Sequence, residues 1–181
     1  MRQHIFYIMI ASSLLAGCAF QPIPQNAAEF RNLIKGGGYG TVTDTFVVKR
    51  PYKDVAANVK AKASQCLNAQ IDKRSCTHTR YSTDCNDYAD KYFATVVNGV
   101  AKTEVQVQFN RDGERVGIVA LGDKPMPSKG MYIVVADISP IENGKAAKVD
   151  IYSTNPFKAV PNAIKLWSEN SNQGCPTFKD L

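Results

Sequence analysis

Cys76, His78, Asp84 and Cys85 lie within ten residues of one another and are all of types that bind zinc. His78 is one of only two histidines in the chain. The four lack the paired spacing of a zinc finger, so a surface histidine inside a disulfide loop is the simpler reading. Asp137 and Asp150 are a second candidate set. If neighbouring strands bring them face to face across a cleft, such a pair could do general acid–base work. The plainer alternative is one acid at a strand end and another facing solvent. Gly36-Gly37-Gly38-Tyr39-Gly40 has the composition of a phosphate-cradling loop. It precedes a strand pattern instead of leading from strand into helix, and no Gly-Lys-Ser/Thr follows, so it reads as a hinge or turn. Neither a Gly-x-Ser-x-Gly elbow nor a Ser-x-x-Lys occurs. The residues therefore point to a protein with no catalytic set, no metal and no cofactor.

The N-terminus carries a different kind of chemistry. Met1-Arg2-Gln3-His4 holds one fixed charge, Arg2; Ile5 to Leu15 is uncharged and apolar apart from Ser12 and Ser13; Leu15-Ala16-Gly17-Cys18 follows. An apolar stretch of about eleven residues spans only ~16 Å as a helix, roughly half a bilayer core. A positive end, an apolar middle and a small-residue close form a secretory signal, here residues 1–17. Leu15-Ala16-Gly17-Cys18 resembles the lipobox of bacterial lipoproteins. The resemblance covers only the leader and Cys18. It implies cleavage before Cys18, a diacylglyceryl group on its sulfur and acylation of the new amine. A single acyl chain holds a protein only marginally, with K about 10⁴ M⁻¹, whereas several chains anchor it. Ala19 in place of Asp implies, within that family, sorting to the outer membrane, with the protein facing the periplasm.

An exported chain meets an oxidising compartment, and four further cysteines remain: Cys66, Cys76, Cys85 and Cys175. Three pairings are open to them. The favoured one joins Cys76 to Cys85 as a local clasp and Cys66 to Cys175 as a staple between a helix and the C-terminal tail. Loop-closure entropy makes the clasp worth about 2.7 kcal/mol and the staple nearly ~5 kcal/mol before strain. Oxidised thiols also withdraw two of the four zinc candidates. The 22 basic residues outnumber the 16 acidic ones; without Arg2 the excess is +5. It is scattered without runs, as on a solvated surface, and no nucleic-acid partner is expected. A weak attraction to anionic lipid headgroups is compatible with it.

These residues must be positioned by elements legible in the pattern. Gln21 to Gln25 is a proline-containing tether, and Asn26 to Ile34 can form a short helix with an Asn cap and Phe30, Leu33 and Ile34 on one face. Thr41 to Lys49 reads as a strand. Pro51 opens a helix to about residue 68, with Tyr52, Val55, Ala56, Val59, Ala63, Cys66 and Leu67 in one sector and Lys53, Lys60 and Ser64 opposite. Residues 69–87 read as a polar connection with at most a short strand at each end. Tyr88 to Val97 and Val100 to Phe109 are strands about an Asn98-Gly99 turn, with Val105, Val107 and Phe109 facing in and Glu104, Gln106 and Gln108 facing out. Arg111-Asp112-Gly113 reads as a turn and Arg115 to Leu121 as a strand, followed by a loop at 124–130. Met131 to Ile138 has the profile of a central strand, and Asn143-Gly144 turns it into Ala147 to Ser153. Pro161 starts the last helix, to Glu169, striped by Val160, Ile164 and Trp167.

Residues 1–17 are thus a signal peptide, 18–40 a lipidated cysteine with a flexible tether, and 41–181 a single α+β domain. Its expected architecture is an antiparallel sheet with helices on one face. The order strand, helix, strands, helix resembles helix-grip domains, including those of lipoprotein subunits of the outer-membrane β-barrel assembly machinery. The functional expectation is an envelope lipoprotein held to the membrane through Cys18, whose non-catalytic domain binds another envelope protein or supports an assembly. A carrier of lipid or another apolar small molecule is the second expectation, since a sheet curled around a helix can enclose a pocket.

Overall fold

The computed structural model describes residues 23–37, 40–112, 126–170 and 172–177. The leader, Cys18 and the strand expected at Arg115–Leu121 lie outside the described residues, as do Gly38, Tyr39 and Gly113. In chain order the elements are α1 (Ala27–Lys35), β1 (Thr41–Val48), α2 (Tyr52–Cys66), β2 (Ala69–His78), β3 (Thr83–Asn98), β4 (Thr103–Asp112), β5 (Met131–Ile141), β6 (Ala146–Thr154) and α3 (Ala159–Glu169). Short 3₁₀ turns follow β5 and β6. The strands form one antiparallel sheet in the order β1-β6-β5-β4-β3-β2, so the first strand closes against the last. The fold is α+β, as expected.

Period-two alternation divides the sheet into two unlike faces. Val105, Val107, Ile133, Val134, Ala136, Ile138, Val149 and Ile151 point to the face covered by α2 and α3 and form the main core. From α2, Val55, Val59, Ala63 and Leu67 meet them, and from α3, Val160, Ile164 and Trp167; all are essentially inaccessible. The predicted faces of both helices hold, and Lys53, Lys60 and Ser64 are exposed. The α3 helix starts two residues earlier than expected. Pro161 sits in its first turn, where the absent N–H has no helical acceptor to reach. Trp167 anchors the tail by donating from Nε1 to Gly174 O at 2.9 Å. Cys66 and Cys175 are at disulfide distance beside it, with Cα atoms 5.2 Å apart.

Three features depart from the expected arrangement. First, helices do not share one face: α1 lies on the opposite side, where Phe30 and Ile34 pack with Val135, Tyr152 and Tyr132. Asn26 caps it by accepting from Glu29 N at 2.9 Å. The described part of the segment expected as tether is therefore docked, because two apolar side chains one turn apart find an apolar spot on an otherwise polar face. Second, residues 69–87 are not a polar connection. They complete a long hairpin, β2–β3, paired in register from Ala69↔Tyr92 to His78↔Thr83. Polar composition hides the strands because both faces of the outer ribbon, residues 74–87, are wet, which removes there the alternation on which a strand reading relies. Third, Arg111 and Asp112 do not turn; they prolong β4 opposite Asp90 and Ala89.

Local geometry bends the sheet where β4 meets β5. The register shifts between Val107 and Gln108, leaving Ile133 as an extra residue on β5. Gly130 enters this bulge at φ 91°, and a Cβ there would stand 2.0 Å from Phe109 O. Only glycine fits. The β5–β6 connection is a four-residue loop, 142–145, and not the two-residue turn that Asn143-Gly144 suggested; Glu142 is at φ 51°, Asn143 at 56° and Gly144 at 84°. Removing the central aromatic should be the most damaging single change to this core. Trp167→Ala is expected to cost about 3–5 kcal/mol in urea unfolding, by cavity formation and loss of the tail contact. A cost under ~1 kcal/mol would show that α3 contributes little to the core.

Candidate functional site

The polar face of the sheet gathers the acids singled out in the sequence. Asp137 and Asp150 are register partners on β5 and β6, and Glu104 on β4 is in turn the partner of Asp137. Three carboxylates thus lie in a row across three strands, an arrangement that costs repulsion unless cations answer it. Arg31 of α1 answers it first, donating from Nε to Asp137 Oδ2 at 2.8 Å and from Nη2 to Oδ1 at 2.6 Å. The same Nη2 is paired with Glu104. Lys102, in the β3–β4 turn, reaches Asp137 at 2.7 Å and Glu104 at 3.4 Å. Asp150 accepts from Thr45 Oγ1 at 2.8 Å and pairs with Lys148 at 3.0 Å.

This chemistry is that of a latch. Burial pushes the Glu104 carboxyl up, but hydrogen bonds from Gln106 and Arg31 and the charges of Arg31 and Lys102 outweigh it and hold the group below its usual range. Burial opposes the charge on Arg31, and its bonds to Asp137 and Glu104 reverse that and raise it. Asp137 commits both oxygens to the Arg31 guanidinium. Of this cluster the sequence singled out Asp137 and Asp150. Arg31, Lys102 and Glu104 escaped notice because 73 residues separate Arg31 from Glu104 and 106 separate it from Asp137.

The second set is redistributed by the ribbon. Cys76 and Cys85 are directly opposite, with Cα atoms 4.0 Å apart and sulfurs at disulfide distance. His78 Nδ1 lies 2.9 Å from Thr83 Oγ1, and Asp84, opposite Thr77, faces the other side. Zinc would find neither free thiols nor a convergent set, and among the described residues no group of three metal-ligating side chains occurs. The first two glycines of the glycine-rich segment are likewise committed: Gly36 N–H donates to Asn32 O at 3.0 Å and Gly37 N–H to Ile34 O at 3.1 Å, closing α1.

What remains is the ribbon as a surface. The last partner of β3 on β4 is Ala89↔Asp112, so beyond it β3 pairs, among the described residues, with β2 alone. Its base is pinned by Asp90, only 1 % exposed, which receives Arg111 at 2.5 and 3.1 Å and Lys73 at 3.0 Å. Burial opposes the charge on Asp90, yet the bonds from Arg111 and Lys73 hold its carboxyl below the ordinary value. The Arg111 guanidinium also stacks 4.7 Å from the Tyr88 ring. Farther out, Arg74 grips Asp87 at 2.6 and 3.0 Å. At the tip, Tyr81 is 90 % exposed. A shallow hollow of about 580 Å³ beside Ala89 is rimmed by Asp72, Arg74, Asp87 and Asp112.

Two outcomes follow from these ion clusters. Arg31→Ala should strip Asp137 and Glu104 of their main partner, lowering stability by about 2–3 kcal/mol and speeding amide exchange at Phe30–Ile34. Unchanged exchange there would show that the apolar contacts alone hold α1. Glu104 and Asp90 both have depressed values in the folded state. Their contribution is therefore complete above the unfolded values near about pH 4 and is lost as pH falls through the lower folded ones. Tm should stay level from pH 7 to about 5 and fall below about 4, and a Tm that rises on acidification would contradict both assignments. No protein-family model matches the chain, and no curated protein matches it significantly.

Proposed function

We propose that the protein is a lipid-anchored envelope protein whose domain is a non-catalytic binding or assembly-support module, with the β2–β3 ribbon as the part that meets its partner. One observation carries this reading. An arm that is two-stranded among the described residues is pinned at its base by a buried ion cluster, clasped by Cys76 and Cys85, and tipped by an exposed tyrosine. A solvated hairpin that served only to link two strands would need none of these devices, since isolated ribbons are marginal in water. Rigidity lowers the entropy lost when such an arm is bound. Tyrosine supplies a large contact area at few rotatable bonds.

The lipobox-like Leu15-Ala16-Gly17-Cys18 supports attachment to the outer membrane through Cys18. No described helix is long and apolar enough to cross a membrane. The strand order, with helices after β1 and β6 on the same face, supports a helix-grip relationship. A lipid carrier finds less support. A ligand-sized void between sheet and helices would leave its lining reachable by a water-sized probe, whereas the facing side chains there are at or near zero exposure.

Two experiments test the reading. A photo-cross-linking amino acid at position 81 in living cells should give a discrete protein adduct, and the same group at Lys60 on the outer side of α2 should give none. No adduct at positions 77, 80, 81 or 84 would overturn the ribbon assignment. Cys18→Ala should abolish incorporation of radiolabelled palmitate and leave the leader, residues 1–17, uncut. Undiminished labelling would overturn the anchor.

A further inference from the structure

The two disulfides differ in the burial of one sulfur and in the length of chain they close. Cys76 and Cys85 are both exposed, sit at neighbouring positions of one wet ribbon and close only a short loop, their separation being 9 residues. Cys66 is 5 % exposed within the main core, and its bridge to Cys175 spans 109 residues. Attack on the Cys66 sulfur is blocked by burial. Attack on Cys175 would expel the Cys66 thiolate into apolar surroundings, which disfavour the charged form and make it a poor leaving group.

Toward the tip of the ribbon, one face carries three successive cross-strand rows: Arg74 with Asp87, Cys76 with Cys85, and His78 with Thr83. Along β2, Cys76 is flanked by Arg74 and His78. Along β3, Cys85 is flanked by Asp87 and Thr83. Along its own strand a thiolate on Cys76 has the Arg74 guanidinium and the His78 imidazole as neighbours, while one on Cys85 has the Asp87 carboxylate; the Arg74–Asp87 ion pair reduces this difference without reversing its sign. The two halves of the bridge are electrostatically unequal, and the better leaving group is Cys76.

We propose that Cys76–Cys85 is a thiol–disulfide exchange site for a dithiol reductant, with Cys85 the sulfur attacked and Cys76 the leaving thiolate. A thiolate of the reductant attacks Cys85 Sγ and forms a mixed disulfide; the Cys76–Cys85 bond breaks and its electron pair stays on Cys76 Sγ. The second thiolate of the reductant then attacks its own sulfur in the mixed disulfide and releases Cys85. Two electrons and two protons pass to the protein, and the reductant leaves as a disulfide. The ribbon survives the opening. Arg74–Asp87 remains inboard, and at the tip Thr79 N donates to Ser82 O at 2.8 Å and Ser82 N to Thr79 Oγ1 at 3.0 Å. Held in register, the two thiols are set to close again when an oxidant returns.

The test uses the full oxidised chain. Dithiothreitol at low millimolar concentration, quenched with iodoacetamide and mapped by peptide mass spectrometry, should open Cys76–Cys85 at least ten times faster than Cys66–Cys175. The far-ultraviolet circular dichroism should be unchanged. Equal rates, or prior opening of Cys66–Cys175, would overturn the site. The direction is read separately from single thiols. At pH 7 the Cys76 thiol left in Cys85→Ser should react with iodoacetamide several-fold faster than the Cys85 thiol left in Cys76→Ser. Adding Arg74→Gln to Cys85→Ser should erase most of that advantage. Equal or reversed rates in the two folded single variants would overturn the assignment of Cys76 as leaving group.

Discussion

Burial of one face of the sheet beneath α2 and α3 is the constraint from which the other features follow. That face presents valine and isoleucine from β4, β5 and β6, and two amphipathic helices lay Val55, Val59, Ile164 and Trp167 against it. Because strand side chains alternate, committing one set inward commits the other set outward. The row Glu104, Asp137 and Asp150 exists on the outer face because Val105, Ala136 and Val149 occupy the inner one. Pairing of β1 with β6 closes the order and puts α2, which follows β1, over the middle of the sheet.

The outer face is then a problem of electrostatics. Three adjacent carboxylates could not persist without cations, and α1 brings Arg31 to the centre of the row while Phe30 and Ile34 give the helix an apolar footing. The same solution recurs at the base of the ribbon, where Asp90 is buried between Arg111 and Lys73. In both places a desolvated acid is charged because a guanidinium and an ammonium meet it together. Each cluster joins two pieces of the fold: α1 to the sheet, and the arm to the body.

Much of this was legible beforehand, and the reasons differ by element. The buried sectors of α2 and α3 followed from a 3.6-residue period strong enough to survive any context. Cys66 lay in one of those sectors, so a staple to the tail was already sensible. By contrast β2 was lost among polar residues, since a ribbon wet on both sides carries no alternation. Asp137 and Asp150 were seen to be capable of facing one another, but not that Arg31 and Lys102 would occupy the site between strands and helix. A salt bridge across a hundred residues leaves no local mark.

The sequence by itself determined the secondary structure wherever one side of an element is apolar, and it offered four cysteines besides Cys18 for pairing. Those are properties of neighbours along the chain, governed by periodicity and residue type. Only the tertiary structure decided that α1 docks on the face opposite the other helices, that a carboxylate row is met by Arg31, Lys102 and Lys148, and that Cys76 and Cys85 sit side by side on an exposed arm. Each of those depends on strand register, and register is settled by the whole sheet finding one buried face at once.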